Sequence, residues 1–339
     1  GHRWGYRDTA FVSKDNKNVT LSGSRYEICS KILPGLIPFA EEVLGINVLP
    51  EPQIHEVKKK PVSDKKTNEA FMVELKNLFN EDRYTSTDKE RLLHSHGQTT
   101  SDEIYKVLYS KLDSFADLVF YIETEEEAKQ LIDLAKKHDV CLIPFGGGTS
   151  VSNALKIPES EKRMVVSVDT RRMNRIEHID EKNLLATVEC GILGVDLEKK
   201  LQDQGYTAGH EPDSIEFSTL GGWISTNASG MKKHKYGNIE DIVQNVTLIT
   251  PSGTINQIKP LTRSSIGVKT QNLVFGSEGN FGIITKATIR IHKKPEASTF
   301  ESILFHSWED GVSFMYEVAH SSLIPASSRL MDNSMVRFA

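Results

Sequence analysis

Residues 144–150 read PFGGGTS and directly follow a short apolar run at 140–143. Three consecutive glycines after a predicted strand let backbone N–H groups approach a phosphate closely, because glycine lacks a Cβ and adopts positive φ readily. Thr149 and Ser150 add hydroxyl donors. The spacing is not the GxGxxG of nicotinamide-binding units, and no P-loop lysine follows. The stretch therefore predicts a phosphate-binding loop, although taken alone it is also compatible with a flexible surface loop.

Two further segments carry the same kind of signal. Residues 209–230 read GHEPDSIEFSTLGGWISTNASG and are dense in small and hydroxylated side chains that can donate to a ligand. A small-residue helix packed on a sheet explains this segment equally well, and the two readings are compatible. Residues 276–285 read GSEGNFGIIT, with three glycines in seven residues ahead of an apolar strand. A ligand can lie against such a backbone, and a plain helix-to-strand turn is the alternative.

The segments between these motifs alternate strand and helix patterns. Thr124 and Glu127 form the sequence pattern of a capping box at one helix start. Mixed strands, helices and hairpins predict an α+β domain over about 115–293 rather than a doubly wound sheet. The predicted strands are 118–122, 140–143, 164–168, 184–188, 243–250, 254–258 and 281–291, and the predicted helices are 101 to about 115, 124–135 and 194–204.

Composition narrows the function classes. The chain has 339 residues and a formal net charge of −5, which argues against broad nucleic-acid binding because phosphates must be neutralised by a basic surface. No apolar run reaches the length of a bilayer span, while a peripheral membrane contact stays open. Three scattered cysteines, Cys29, Cys141 and Cys190, predict neither a disulfide framework nor a metal site. Residues 51–68, rich in Lys, Pro and Glu, indicate a solvated linker.

Together and in this order, the three motifs resemble the FAD-binding domain of the flavoprotein family typified by vanillyl-alcohol oxidase. The resemblance implies an α+β fold with a two-subdomain FAD-binding domain at 115–293. It also implies a mostly helical N-terminal segment at 1–114 and the start of an α+β cap domain at 294–339. The glycine loop offers no His or Cys tether, so noncovalent FAD is expected. The implied cofactor-binding residues are Pro144, Phe145, Gly146, Gly147, Gly148, Thr149, Ser150, Asp213, Ser214, Ile215, Glu216, Phe217, Ser218, Thr219, Thr226, Asn227, Ala228, Ser229, Glu278, Gly279, Asn280, Phe281, Gly282, Ile283 and Ile284.

Within that family, several segments resemble the alkyl-dihydroxyacetonephosphate synthases. The resemblance implies a redox-neutral, FAD-dependent transferase of ether-lipid biosynthesis that exchanges the acyl group of acyl-dihydroxyacetone phosphate for a long-chain fatty alcohol. It further implies a peroxisomal place in plasmalogen synthesis, peripheral membrane association and a homodimer. The segments are WGYRD at 4–8, GSRY at 23–26, HSHG at 94–97, GHEPDS at 209–214, SGMKK at 229–233, YGNIED at 236–241 and RLMDN at 329–333.

The resemblance implies catalytic-site roles for two residues. His210 near the flavin is a polar ligand or an acid/base, and Arg329 binds the substrate phosphate or orders the flavin environment. A structural histidine and a surface arginine paired with Asp332 are the respective alternatives. The family's acid/base residues are expected beyond Ala339, and His94 and His96 are expected to be structural. An FAD-dependent dehydrogenase or oxidase of D-2-hydroxy acids, of the D-lactate type, is the alternative enzyme, and a flavin-storing or scaffold protein is the non-enzymatic alternative.

Overall fold

The computed structural model describes residues 6, 8–13, 18–48, 62–109, 111–256, 265 and 267–338, with side chains up to 336. Most of the predicted linker lies outside these residues, including Lys58, Lys59 and Lys60. Most of the WGYRD segment at 4–8 lies outside them as well. The chain divides into two compact units, one of 1–59 with 301–324 and 328–339, the other of 60–300 with 325–327.

The secondary structure mixes short strands and helices throughout. In chain order the strands are β1 Phe11–Ser13, β2 Val19–Leu21, β3 Ile32–Leu33, β4 Tyr84–Thr85, β5 Leu118–Tyr121, β6 Cys141–Phe145, β7 Val165–Asp169, β8 Ile176–Asp180, β9 Leu185–Glu189, β10 Tyr206–Thr207, β11 Val243–Thr250, β12 Gly253–Ile255, β13 Ile283–Arg290 and β14 His292–Lys293. The helices are α1 Leu36–Leu44, α2 Glu69–Leu78, α3 Asp88–Leu93, α4 Ser101–Leu108, α5 Glu125–Lys137, α6 Gly194–Gln202, α7 Leu220–Thr226, α8 Lys233–Tyr236, α9 Ile239–Ile242, α10 Trp308–His320 and α11 Asn333–Phe338.

The unit that contains the chain's start holds a small antiparallel sheet in the order β1-β2-β3. Val19 and Leu21 alternate with half-buried Thr20, which is the pattern of a strand with one covered face. Ser307 is the N-cap of α10, and its side chain accepts a hydrogen bond from the Asp310 N–H. Helices α1, α10 and α11 complete this unit.

The larger unit contains a four-stranded sheet in the order β4-β5-β7-β6, in which β5, β7 and β6 are parallel. Helix α5 follows β5 and leads to β6. Phe71 and Leu75 of α2 are fully buried in the same core as Phe120 and Leu131. Because β4 pairs with β5 and α2 fills this core, residues from about 62 onward belong to the same compact unit as the predicted 115–293 domain.

A second sheet of the larger unit is antiparallel, in the order β12-β11-β13-β9-β8. Its core includes Leu197 and Leu201 of α6 together with Trp223 and Ile224 of α7. The predicted hairpin is present as β11 and β12, and the α+β class is confirmed. Strand β8 was not predicted, because its sequence IEHID at an edge of the sheet carries only two apolar residues.

Two local predictions are wrong in detail. Helix α4 ends at Leu108, and its buried residue is Glu103, whereas Ile104 and Leu108 of the predicted apolar stripe are exposed. Thr124 does accept from the Glu127 N–H, at 3.1 Å, but the Glu127 carboxylate accepts from Glu123 instead of closing the capping box. In both cases a glutamate carboxylate accepts from a backbone N–H just before the helix, that of Gly97 or Glu123, which the sequence pattern did not predict.

A buried polar cluster lies at the end of β7. Asp169 is 1% exposed, and its carboxylate oxygens lie 3.0 Å from His94 Nε2 and 3.0 Å from Arg171 Nε. Burial by itself raises the pKa of the Asp169 carboxyl, but hydrogen bonds from His94 and Arg171 outweigh burial and hold that pKa at about 2. The Asp169 carboxyl is therefore ionised at neutral pH.

We predict that Asp169→Asn lowers the free energy of unfolding at neutral pH by about 2 kcal/mol, because an amide has one acceptor oxygen and no negative charge, whereas the carboxylate accepts through both oxygens. The folded pKa of about 2 lies below the usual 3.8. The stabilisation is therefore present above about pH 4 and is lost as the pH falls from there through about 2. Urea unfolding of both proteins across this range measures the effect.

Asp139→Asn, at an exposed position with positive φ that asparagine tolerates, serves as the matched control and should change little. If Asp169→Asn lowered the free energy of unfolding as much at pH 3 as at pH 7, the low pKa assigned to Asp169 would be wrong.

Candidate functional site

A cleft of about 420 Å³ opens in the larger unit at the carboxyl ends of β6 and β7. Three of its walls come from the three sequence motifs, which are distant in sequence. The described residues that line it are Pro144, Phe145, Gly146, Gly147, Gly148, Thr149, Ser150, Val151, Ser152, Ala154, Leu155, Thr170, Pro212, Ser214, Ser218, Thr219, Gly221, Gly222, Trp223, Ser225, Thr226, Asn227, Ala228, Ser229, Glu278, Gly279, Gly282 and Ile284.

The glycine loop after β6 is in close backbone contact with the segment that precedes α7. A Cβ at Gly147 would lie 1.8 Å from the Phe217 carbonyl oxygen, and one at Gly146 would lie 2.5 Å from Thr219 Oγ1. Both are below any real contact distance. Glycine is therefore required here for close approach, and the first motif is a packed loop rather than a flexible one.

Helix α7 forms the second wall. Thr219 caps it by accepting from the Gly222 N–H at 3.1 Å. Its larger side chains Leu220, Trp223 and Ile224 are buried, which leaves its small and hydroxylated residues on the cleft. Both interpretations of the second motif therefore apply. The helix packs through its large side chains, and its small and hydroxylated residues line the cleft.

The third wall is the turn before β13. The Glu278 N–H donates to the Ser225 carbonyl at 2.9 Å, which ties this turn to the end of α7. Gly279 has φ +83° and Gly282 has φ +153°, and a Cβ at Gly282 would lie 2.0 Å from the Ile249 carbonyl oxygen. Only glycine fits this combination of backbone conformation and contact.

The cleft is almost uncharged. Glu278 is the single ionisable side chain among the described residues that line it. No backbone acceptor among the described residues takes the N–H groups of Gly147, Gly148 or Thr149. An anion entering here would therefore meet backbone N–H groups and hydroxyls rather than lysine or arginine side chains.

Most of the residues predicted to bind a cofactor line this cleft, and seven do not. Ile215 packs beside Gly194, and Phe217 meets the glycine loop through its carbonyl group. Asn280, Phe281 and Ile283 line a second, separate cavity. The remaining two, Asp213 and Glu216, lie in the same turn as Ile215 and contribute nothing to the lining. For these seven, as for the residues that do line the cleft, the cofactor role stays a prediction.

Some lining residues were not singled out from the sequence. Thr170 directly follows β7, and its N–H and hydroxyl both donate to the Phe145 carbonyl, at 3.0 and 3.2 Å. Its position at the carboxyl end of a parallel strand next to β6 is the signal that could have found it. Pro212 and Trp223 lie within the second motif, and the stretch 151–155 follows the first. Only packing shows which of these residues reach the cleft.

His210 does not line the cleft. It is 3% exposed, lies edge-on to Trp223 with ring centroids 4.9 Å apart, and neither ring nitrogen has a hydrogen-bond partner in the described structure. Burial lowers the pKa of His210 to about 4, so the ring is neutral at physiological pH. Trp223, its neighbour, does reach the cleft and donates from Nε1 to Ser218 Oγ at 2.7 Å.

Arg329 lies in the other compact unit, between α10 and α11, with an exposed side chain. Its catalytic role and that of His210 stay predictions. No group of His, Cys, Asp or Glu among the described residues could hold a metal ion. Within the same residues, no helix is long and apolar enough to cross a membrane.

Comparison with known proteins identifies related domains. Residues 116–259 match the FAD binding domain family. The chain is 42% identical over 333 residues to the alkyldihydroxyacetonephosphate synthase of Caenorhabditis elegans, a match covering 97% of this chain and 55% of that protein. A solved structure of an alkyldihydroxyacetonephosphate synthase matches with a TM-score of 0.86 and 32% identity, over 96% of this chain and 60% of that one.

A more distant relative is the mitochondrial D-lactate dehydrogenase (cytochrome) of Kluyveromyces lactis, 27% identical over 81% of this chain and 46% of that protein. The chain thus spans about half the length of the curated relatives it matches.

FAD is the cofactor of this domain, and the cleft fits it on physical grounds. The loop lacks Cβ atoms where backbone must approach closely, and its free N–H groups suit a pyrophosphate. The remainder of the lining is small, hydroxylated or apolar, which suits a large, mostly planar cofactor.

Gly147→Ala should weaken FAD binding at least tenfold, because the added methyl group would overlap the Phe217 carbonyl and displace the loop. Flavin fluorescence titration of the apoprotein measures this. Gly205→Ala is the control: that glycine has φ +81° with open space around it, so the variant should lose about 1 kcal/mol of stability and keep its FAD affinity. Unchanged FAD affinity in Gly147→Ala would show that the loop does not contact the cofactor.

Proposed function

We propose that this chain, a homologue of the alkyldihydroxyacetonephosphate synthases with an FAD-binding domain, carries the cofactor-binding part of such a synthase. The proposed reaction exchanges the acyl group of acyl-dihydroxyacetone phosphate for a long-chain fatty alcohol. A carboxylate leaves, the alcohol enters, and there is no net oxidation or reduction. The observation that carries the proposal is the 42% identity over 97% of the chain, which extends well beyond the FAD-binding domain.

The chain's own contribution is to bind and orient the cofactor. When bound, FAD supplies an electron-rich ring that can stabilise the reacting carbon of the substrate. The predicted residues of the glycine loop, α7 and the turn before β13 would hold it through N–H groups and hydroxyls. Binding would be noncovalent, since the described lining contains neither His nor Cys.

His210 is proposed as a neutral polar group beside the cofactor site. Its low pKa makes it a poor base at physiological pH, so a hydrogen-bonding role is favoured over proton abstraction. Two unpartnered buried ring nitrogens support such a role, because a buried polar group without a partner is costly unless a ligand satisfies it.

Arg329 is proposed to bind the substrate phosphate, in a cap domain that starts near residue 294. Support comes from the segment RLMDN at 329–333, which contains this arginine and resembles the synthases. A guanidinium can bind phosphate through two parallel hydrogen bonds, which a lysine cannot reproduce.

Arg329→Lys should therefore lower kcat/KM for acyl-dihydroxyacetone phosphate by about 30- to 100-fold, roughly 2–3 kcal/mol, mainly through a higher KM. FAD affinity should not change. Arg290→Lys, at an exposed position at the end of β13, is the control and should retain activity. A loss of FAD binding in Arg329→Lys without a KM effect would contradict a role at the substrate phosphate.

The alternative enzyme is an FAD-dependent dehydrogenase of D-2-hydroxy acids. It is favoured only by the more distant D-lactate dehydrogenase relatives, which match at 27% identity. A peroxisomal location, a part in plasmalogen synthesis, peripheral membrane association and a homodimer belong to the synthase proposal. They rest on the resemblance to the synthases and on the lipid character of both substrates.

The deciding experiment incubates purified full-length protein with palmitoyl-dihydroxyacetone phosphate and radiolabelled hexadecanol under nitrogen. Labelled alkyl-dihydroxyacetone phosphate should form while the flavin ends oxidised, because the exchange consumes no electrons. Absence of ether together with bleaching of the flavin by D-2-hydroxy acids would replace the synthase by the dehydrogenase. FAD binding without either activity would favour the non-enzymatic alternative.

A further inference from the structure

The segment His94–Thr99, which reads HSHGQT, lies directly against the glycine loop. It precedes the matched FAD binding domain at 116–259 and does not line the cleft. The segment contacts mostly backbone atoms of the loop. The residue types of the loop therefore do not reveal these contacts.

Three successive carbonyl groups of the glycine loop accept hydrogen bonds from this segment. The Gln98 N–H donates to the Gly148 carbonyl at 2.8 Å. The Thr99 hydroxyl donates to the Thr149 carbonyl at 3.1 Å and is shared with the Ser150 carbonyl at 3.3 Å. In a trans peptide the carbonyl of one residue and the N–H of the next point in opposite directions, so holding these carbonyl groups directs the N–H groups of Thr149, Ser150 and Val151 away from the segment. The segment therefore fixes which groups of the loop remain for a ligand.

One end of the segment is anchored by a buried acid. Glu103, 4% exposed, accepts from the Gly97 N–H at 2.6 Å and from the Thr100 hydroxyl at 2.8 Å. A Cβ at Gly97 would lie 2.6 Å from Glu103 Oε2 and 3.0 Å from the Ser150 carbonyl oxygen. This explains why α4 buries a glutamate instead of its apolar residues.

The other end is anchored to the parallel sheet. Ser95 Oγ accepts from the Ala116 N–H at 2.8 Å, next to the start of β5. His94 lies 3.0 Å from Asp169 and packs on Phe145 with ring centroids 4.5 Å apart. Phe145 in turn lies under Gly148, where a Cβ would be 3.0 Å from its Cζ. The segment is thus fixed to the same two strands, β6 and β7, that lead into the cleft.

We infer that Gly97–Thr99 acts as a strap that holds the carbonyl groups of the glycine loop, and that Thr99 is a positioning residue for binding of the FAD pyrophosphate. The strap takes these three acceptors and leaves the N–H groups of the same three peptides, those of Thr149, Ser150 and Val151, for the phosphates. The inference rests on FAD as the cofactor and does not depend on which reaction the protein catalyses.

The test compares Thr99→Val with Thr99→Ser in the full-length apoprotein. Valine has the same shape as threonine without the hydroxyl, whereas serine retains it. Thr99→Val should bind FAD and ADP, which share the pyrophosphate, about fivefold to tenfold more weakly. Riboflavin, which lacks it, should bind with unchanged affinity, and Thr99→Ser should restore FAD affinity to within about twofold. Fluorescence titration and competition give these constants.

Thr87→Val is the matched control, since Thr87 is exposed and makes no capping hydrogen bond. Its affinities should equal those of the wild type. Should Thr99→Val fail to fold, Thr99→Ala removes the same hydroxyl with less bulk and takes its place.

Wild-type affinity for FAD and ADP in Thr99→Val would overturn the strap, as would weak binding in Thr99→Ser. An equal loss for riboflavin would also overturn it, because the defect would then lie outside the phosphate region. These outcomes leave the proposed synthase intact. If the wild-type protein bound no FAD, both the strap and the proposed synthase function would be overturned.

Discussion

The close approach of Gly147 to the Phe217 carbonyl is the contact on which the cleft depends. It brings a loop that leaves the parallel sheet against the chain that enters α7, a helix packed on the antiparallel sheet. Gly191 meets the Thr170 carbonyl and Gly282 meets the Ile249 carbonyl in the same way, with a Cβ at 1.7 and 2.0 Å. The Gly147 and Gly191 contacts let backbone touch backbone where elements of the two sheets meet, and the Gly282 contact does so between the neighbouring strands β11 and β13 of the antiparallel sheet. Any side chain at these positions would separate the walls of the cleft.

The second physical property of the site is its neutrality. A nearly uncharged lining means that phosphate binding depends on the direction of backbone N–H groups rather than on side-chain charge. Such donors are effective only when they are already aligned before the ligand arrives. Polar groups buried around the loop keep this backbone in place: Ser95 and Glu103 accept from the N–H groups of Ala116 and Gly97, and Asp169 holds the His94 side chain. Structural polar residues outside the cleft thereby influence what the cleft can bind.

The amino-acid sequence by itself determined the α+β class, the order of the main strands and the three ligand-facing segments. These features depend on local periodicity and on residue types with special backbone properties, both of which a sequence displays directly. The glycine loop is an example, since three glycines followed by Thr149 and Ser150 already limit the chemistry of the ligand. Together with the other two motifs, they sufficed for the family resemblance.

Only the tertiary structure decided what depends on contacts between distant residues. It buried Glu103 rather than Ile104, because the carboxylate receives the Gly97 N–H, and it placed His210 in a buried position beside Trp223, outside the lining of the cleft. It also joined α2 and β4 to the FAD-binding unit, since Phe71 and Leu75 find their core there. A pattern in sequence states what a residue can do, while burial and hydrogen-bond partners from elsewhere in the chain decide which of these possibilities has the lowest free energy.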